Sequence, residues 1–275
     1  MMRVTWSKRQ KYQRSISQFL HSHQLGLEDI CFVGAGVPGT ASTATGIIDY
    51  CPNLDWSDEP AGSYFAEFLG REVKLIQDSR AAAAAEMLYG AGREFSDILC
   101  VTIGTGIGSG IISQRKLLNG GMNTAGELGH MSIAKGGRPC VCGSCGCLEQ
   151  YVSGTAIIQR ALERFPAKIE GQPENSETVF SLAYSGDRQA LELLDACMDD
   201  LAFGISNTVA ILSPQAVIIS GGLCEHDSLV IAPLAKKIPK YGYKSWVKKA
   251  ALKILKAELG SDAPMIGAAS LYKVL

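Results

Sequence analysis

Glycine is missing from the first 25 residues of the chain, although 30 glycines follow among its 275 residues. The opening segment therefore holds no glycine-built turn. An apolar run is missing there too: MMRVTWSKRQKYQRS is basic and polar, which speaks against a signal peptide and makes an unexported, cytoplasmic protein the expectation. No window approaches the roughly 20 apolar residues of a membrane span. Net charge is equally scant, −1 from 26 basic and 27 acidic side chains, so nothing draws the molecule as a whole toward nucleic acid. Two basic clusters, Lys8, Arg9, Lys11 and Arg14 at the start and the lysine-rich stretch from Lys236 to Lys256, read as solvated helix faces. Internal repeats and low-complexity linkers are absent as well.

The chain is long enough for two domains and a sizeable core. Ile16, Phe19, Leu20 and His23 follow helical spacing, which predicts a helix ending near Gly26, and Ile30 to Val33 predict a strand that breaks at GAGVPG. Residues 60–70 read as a short helix, 72–77 as a strand and 79–89 as an alanine-rich helix closed by Gly90. Apolar, β-branched runs at 96–103 and 107–112 flank a glycine turn and predict a hairpin. Helices dominate from Gly154 to Asn207, Ala216 to Ser220 predict a buried strand running into Gly221-Gly222, and a helix follows Pro264. The alternation is α/β, with a domain boundary expected near Arg93 to Ser96.

Gly104-Thr105-Gly106-Ile107-Gly108-Ser109-Gly110 joins two predicted strands, so its N–H groups can converge on an anion, or it can be a plain turn. It is not a Walker A loop, because no Lys-Ser/Thr pair follows. Asp78 stands where strand meets alanine helix, and there it serves as an N-cap, as a general base for a hydroxyl substrate, or as both. Of nine cysteines, five are scattered in mostly apolar surroundings, as reduced core thiols are. Cys140, Cys142 and Cys147, with glycines at 143 and 146 and His130 ten residues upstream, have the character of a Cys3His zinc set. Cys145 can replace one ligand or pair with Cys142; a redox pair wants a helix N-terminus, which this loop lacks, and inert thiols are the other alternative. Glu127 and Glu149 flank the cluster, so a metal there fixes both carboxylates for paired hydrogen bonds to vicinal hydroxyls, unless they are merely exposed acids.

These blocks, VGAGVPG at 33–39, PNLDW at 52–56, Asp78 with AAAAAE, GTGIGSG at 104–110, AGELGH at 125–130, CVCGSCGCLE at 140–149 and ISGGL at 219–223, resemble the ROK group of bacterial sugar kinases and sugar-responsive repressors, glucokinase-like members above all. The resemblance implies an actin-like, ribonuclease-H-like two-domain ATPase fold, with residues 1–95 as a sugar-kinase lobe and 96–275 as the lobe carrying the phosphate loop, the zinc cluster and the adenosine-side loop. It implies transfer of the ATP γ-phosphate to a hexose, with Mg2+ accompanying ATP, structural Zn2+, and a homo-oligomer that binds neither nucleic acid nor membrane. By the same resemblance Asp78 is the catalytic base, and Gln77, Glu127, His130 and Glu149 hold the sugar. Gly104, Thr105, Gly106 and Gly108 form the second phosphate loop, Gly221 and Gly222 the adenosine-side loop, and His130, Cys140, Cys142 and Cys147 the zinc set. The chain departs from the family's Asn-Asp-x-Asn with Gln77-Asp78-Ser79-Arg80. Family kinases also open with Asp-x-Gly-Gly-Thr; no such segment stands in these 275 residues, so an N-terminally shortened, weakly active kinase is expected. The alternatives are a zinc-stabilised sugar-binding protein without turnover and a repressor of the family, which needs a winged helix-turn-helix ahead of the sugar domain.

Overall fold

The computed structural model of the protein describes residues 6–51, 54–244 and 252–275, and their side chains other than those of 6–12 and 68. Pro52 and Asn53 of the PNLDW block, the side chains of Lys8, Arg9 and Lys11, and lysines 248 and 249 lie outside that description. The first elements are α1 (Trp6–Ser22), β1 (Val33–Val37), β2 (Thr40–Ala41), β3 (Ile48–Cys51), β4 (Trp56–Glu59), α2 (Ala61–Leu69), β5 (Val73–Gln77) and α3 (Asp78–Tyr89). Then come the strands β6 (Ile98–Ile103), β7 (Ile107–Ser113) and β8 (Lys116–Leu117), and helices α4 (Glu149–Val152), α5 (Gly154–Arg164), α6 (Pro166–Ile169), α7 (Ser176–Tyr184) and α8 (Arg188–Leu212). The rest is β9 (Ala216–Ser220), α9 (Ile231–Tyr241), β10 (Lys253–Lys256) and α10 (Ala263–Ala269). Among the described residues no helix is long and apolar enough to cross a membrane.

One mixed sheet runs in the order β10-β9-β6-β7-β8, with β10, β9 and β6 parallel and β6-β7-β8 antiparallel. A parallel pair β1-β5 and an antiparallel sheet β2-β3-β4 make up the N-terminal part. Leu99, Val101, Ile103, Val217 and Ile219 point into a core shared with α5, α7, α8 and α9, whereas Ile98, Cys100, Ala216 and Ile218 point into a second core shared with α3 and α10. This period-two division of nearly continuous apolar strands, with Thr102 the one polar side chain inside β6, is what a sheet covered by helices on both faces requires. All nine side chains are fully buried, and each Ile, Leu or Val among them contributes about 1.5–3 kcal/mol by leaving water, before ordering entropy is subtracted. The arrangement is the ribonuclease-H-like lobe of the actin-like fold.

The alanine run of α3 is a packing device. A Cβ built on Gly267 of α10 falls 1.8 Å from the Ala81 carbonyl oxygen, and one built on Gly110 of β7 falls 2.4 Å from the Ala83 Cβ. Only side chains this small let α10 and the sheet close on α3 from both sides.

Two expectations are corrected here. The strand expected over 30–33 begins at Val33 and runs on through the glycines, because α10 lies flush against it: a Cβ on Gly34 falls 1.9 Å from the Ala268 carbonyl oxygen. The lysine-rich stretch is not one solvated helix face. Residues 253–256 form β10 on the sheet, and Lys237 is buried against Asp195 (2.9 Å) and Asp199 (3.0 Å). In the N-terminal cluster, Arg14 is exposed as expected.

Candidate active site

Three segments meet at the turn between β6 and β7. From α3, the Ser79 side chain packs against Gly108, where a Cβ falls 2.6 Å from it. From the 126–130 segment, the Ser109 hydroxyl donates to the Gly126 carbonyl at 2.5 Å, and a Cβ on Gly129 falls 2.2 Å from the Ile107 carbonyl oxygen. From α4, Glu149 Oε2 accepts the Ile107 N–H at 2.8 Å. Behind the turn, the Gly154 N–H donates to the Gly104 carbonyl at 2.8 Å, and the Thr155 hydroxyl to the Thr105 carbonyl at 2.9 Å. The segments that carry Asp78, Glu127, His130 and Glu149 thus all border the turn of Gly104, Thr105, Gly106 and Gly108. Gly221, with φ +88°, lies beside the same turn, since a Cβ on it falls 2.3 Å from the Ile103 carbonyl oxygen. Gly221-Gly222 and the turn therefore sit together at the C-terminal ends of β9 and β6, where sheets of this kind receive ligands.

Asp78 is the first residue of α3; the N-cap place belongs to Gln77, extended at φ −61° and ψ 139° and making no side-chain cap bond. The capping role for Asp78 falls away. Its Oδ1 accepts the N–H of Ser79 at 2.7 Å. The side chain reaches solvent on one side, yet the protein around it strips water from it, and this desolvation raises its pKa above 3.8 against the lowering effect of the Ser79 N–H. A reachable carboxylate with a raised pKa is suited to accept a proton. Glu127 and His130 leave one short 3-10 turn, Leu128–His130, in which the His130 N–H donates to the Glu127 carbonyl at 3.1 Å.

The ligand atoms of His130, Cys140, Cys142 and Cys147 all lie within 4.8 Å of one another. Cys140 Sγ is 3.7 Å from His130 Nδ1, and Cys142 Sγ is 3.6 Å from Cys147 Sγ. A tetrahedral ion with metal–sulfur bonds of about 2.3 Å demands ligand–ligand edges of about 3.7 Å. The donor set and its spacing fit zinc. Burial pushes the Cys147 thiol up to about 12, while the Ser144 N–H draws the exposed Cys142 down, so three thiolates share this space only around a cation. Gln150 Nε2 donates to Cys140 Sγ at 3.6 Å as an outer support. Cys145 is exposed and stands outside the cluster; its carbonyl, not its thiol, is engaged, by the Ser132 hydroxyl at 3.1 Å.

Sequence reasoning missed Arg160 and named Arg80 only as a departure from the family pattern. Arg160 donates to the Tyr151 carbonyl at 2.6 Å and to Asp200 at 2.9 Å, anchoring the end of α4 that carries Glu149. Arg80 donates from Nη1 to the Asn123 carbonyl at 2.9 Å and from Nη2 to Asn119 Oδ1. A lone cation at the start of an alanine run was a readable signal for Arg80. Nothing local marks Asn119 or Asn123.

A model of the ROK family matches residues 5–274. A glucokinase of Thermotoga maritima is 34% identical over 256 residues, an alignment spanning 90% of this chain and 80% of that protein. The ROK family glucokinase from Streptomyces griseus, solved in complex with glucose and AMPPNP, superposes with a TM-score of 0.81 at 28% identity, covering 95% of this chain and 87% of that one. A ROK family transcriptional regulator, a homologue of the Escherichia coli MLC protein, superposes with a TM-score of 0.85 at 25% identity, covering 97% of this chain and 69% of that one.

Proposed function

The chain belongs to the ROK family, and from that premise we propose that it is an ATP-dependent hexose kinase of the glucokinase-like type. The observation that carries this reading is the bond from the Ile107 N–H to Glu149, because one carboxylate then borders both a set of side chains suited to hydroxyls and a glycine turn suited to phosphates.

In this reading Asp78 accepts the proton of the reacting sugar hydroxyl as its oxygen attacks the γ-phosphorus, and the bond to the β-phosphate oxygen breaks to release ADP. Glu127 and Glu149 accept hydrogen bonds from other hydroxyls of the sugar. His130 has Nδ1 turned to Cys140, so Nε2 is the nitrogen left to donate to a sugar oxygen. Gln77, adjoining Asp78, offers an amide at the same edge. Gly104, Thr105, Gly106 and Gly108 receive the phosphates of ATP, which enters with Mg2+ as co-substrate, and Gly221-Gly222 borders the adenosine. Zinc held by His130, Cys140, Cys142 and Cys147 supplies a closed four-ligand crosslink. Around it, this chain's own turn 128–130 and α4 keep Glu127 and Glu149 oriented.

A second reading, sugar binding without turnover, is favoured by the close likeness in shape to a transcriptional regulator. A coupled ATP assay with glucose, mannose, fructose and N-acetylated hexosamines, run beside direct sugar-binding measurements, separates the two. Sugar-dependent ATP consumption that disappears in Asp78→Asn supports the kinase. Saturable sugar binding with no turnover supports the second reading, and a protein that neither binds nor phosphorylates any of these sugars overturns both.

A further inference from the structure

Arg80 is 1% exposed, and among the described residues the other buried cations answer carboxylates directly: Arg160 meets Asp200 at 2.9 Å, and Lys237 meets Asp195 and Asp199. The partners of Arg80 are neutral, the Asn123 carbonyl and the Asn119 side-chain oxygen, and its buried Nε has no partner at all. A buried charge with neutral partners is costly and persists only where the surrounding structure depends on it.

What depends on it is the loop from Asn119 to Glu127. Asn123, at φ +58°, donates from Nδ2 to the Ala41 carbonyl of β2 at 2.6 Å, and the Ser109 hydroxyl of β7 holds the Gly126 carbonyl at 2.5 Å. The loop is therefore pinned at three points, by α3 through Arg80, by β2 through Asn123 and by β7 through Ser109, and it delivers Glu127 directly after the last pin. Arg80 is the group that engages it twice. Glu127 is also the charge whose field favours the protonated guanidinium against its burial. Asparagine, the residue of the family pattern at this position, is too short to span the same two acceptors.

We propose that Arg80 is a positioning residue for the sugar side of the site: its forked guanidinium sets the 119–127 loop against α3 and β2 and thereby aims Glu127 at the substrate. The proposal rests on reading Glu127 as a sugar ligand. Arg80→Met keeps the stem's volume and removes every donor, and replacing a buried charge by an apolar side chain of similar size is compatible with folding. Expected in that variant are amide exchange over 119–127 at least tenfold faster, a hexose Kd raised at least tenfold, and an AMPPNP Kd within twofold of the unaltered protein. Arg80→Lys, which keeps the charge without the fork, recovers only part of the loop's protection. If Arg80→Met does not fold, Asn119→Ala removes one acceptor without touching α3, and the same exchange measurement decides. A folded variant whose 119–127 exchange stays within twofold of the unaltered protein overturns the proposal, as does an equal loss of hexose and nucleotide affinity. If the unaltered protein binds none of the hexoses, the kinase reading fails while loop exchange still decides the role of Arg80.

Discussion

Glu149→Ala and Glu149→Gln together test whether one carboxylate serves the sugar side and the phosphate side at once. Ile107 is 5% exposed, and its N–H has Glu149 Oε2 as acceptor at 2.8 Å. Alanine removes that acceptor and leaves a buried N–H unpaired. A hydrogen bond to a charged group is worth about 1.5–3 kcal/mol net, which corresponds to roughly 10- to 150-fold in a rate or affinity that needs the turn in place. Glutamine can turn its neutral oxygen to the same N–H and forgo only the charge, a loss of about 1 kcal/mol or roughly fivefold. Both variants lose the carboxylate offered to the sugar. Initial rates with each substrate varied at saturating levels of the other should therefore show kcat/KM for the sugar reduced in both, and kcat/KM for ATP reduced far more in Glu149→Ala than in Glu149→Gln. AMPPNP binding measured without sugar should follow the same order. If the two variants have ATP parameters within twofold of one another, the contact is incidental to the phosphate turn.

Asp78→Asn keeps the shape and the bond to the Ser79 N–H, so turnover should fall by roughly 10²- to 10⁴-fold with sugar affinity within about tenfold; an active variant removes Asp78 from the chemistry. Because desolvation raises the Asp78 pKa above 3.8, its ionised form weighs against folding above that raised value and the penalty is relieved as pH falls; Asp78→Asn should not lower Tm at pH 7, and a marked drop contradicts the cause assigned to the shift. The same sign puts the acid limb of the activity profile above the ordinary aspartate value of 3.8, with activity lost as pH falls through it. Metal analysis should find one zinc per chain, falling below half an equivalent in the Cys140→Ser, Cys147→Ser double variant with increased proteolysis near Glu127 and Glu149; full retention in that variant refutes the ligand set. Gly221→Ala forces a Cβ to 2.3 Å from the Ile103 carbonyl at a φ of +88°, so KM for ATP should rise while sugar affinity measured by calorimetry holds; an unchanged KM for ATP refutes the placement of this loop beside the nucleotide.

The central sheet is legible in the sequence because β6 and β9 are short, mostly apolar and β-branched runs with turn residues at their ends, broken only by Thr102 and closed by Ser220, and burial on both faces leaves no strict polar alternation to confuse them. The sheet β2-β3-β4 is not: its strands have two to four residues, with Asp49, Tyr50, Ser57 and Asp58 exposed, and pairing rather than pattern defines them. Nor is β10, where Lys253 and Lys256 border a parallel edge strand and look like a helix surface. In the site, Cys140, Cys142 and Cys147 are readable because thiol spacing is local chemistry, and His130, ten residues upstream, joins them as a nearby imidazole. Arg80 meets its acceptors 39 and 43 residues along the chain, and separations of that length leave no periodic trace. Gly34 misleads in the opposite direction, since a residue that reads as a breaker lies inside a strand to admit a helix backbone.

The clamping of α3 between α10 and β7 has a mechanical consequence. A helix whose backbone touches neighbours on two sides cannot roll or slide without driving Gly267 or Gly110 into it, and it therefore moves with the large sheet as one solid piece. Asp78 rides at the tip of that piece, in fixed register with the turn between β6 and β7. In the proposed reaction, the distance between the Asp78 carboxylate and the β6-β7 turn is then set by backbone contacts and not by the layers around them.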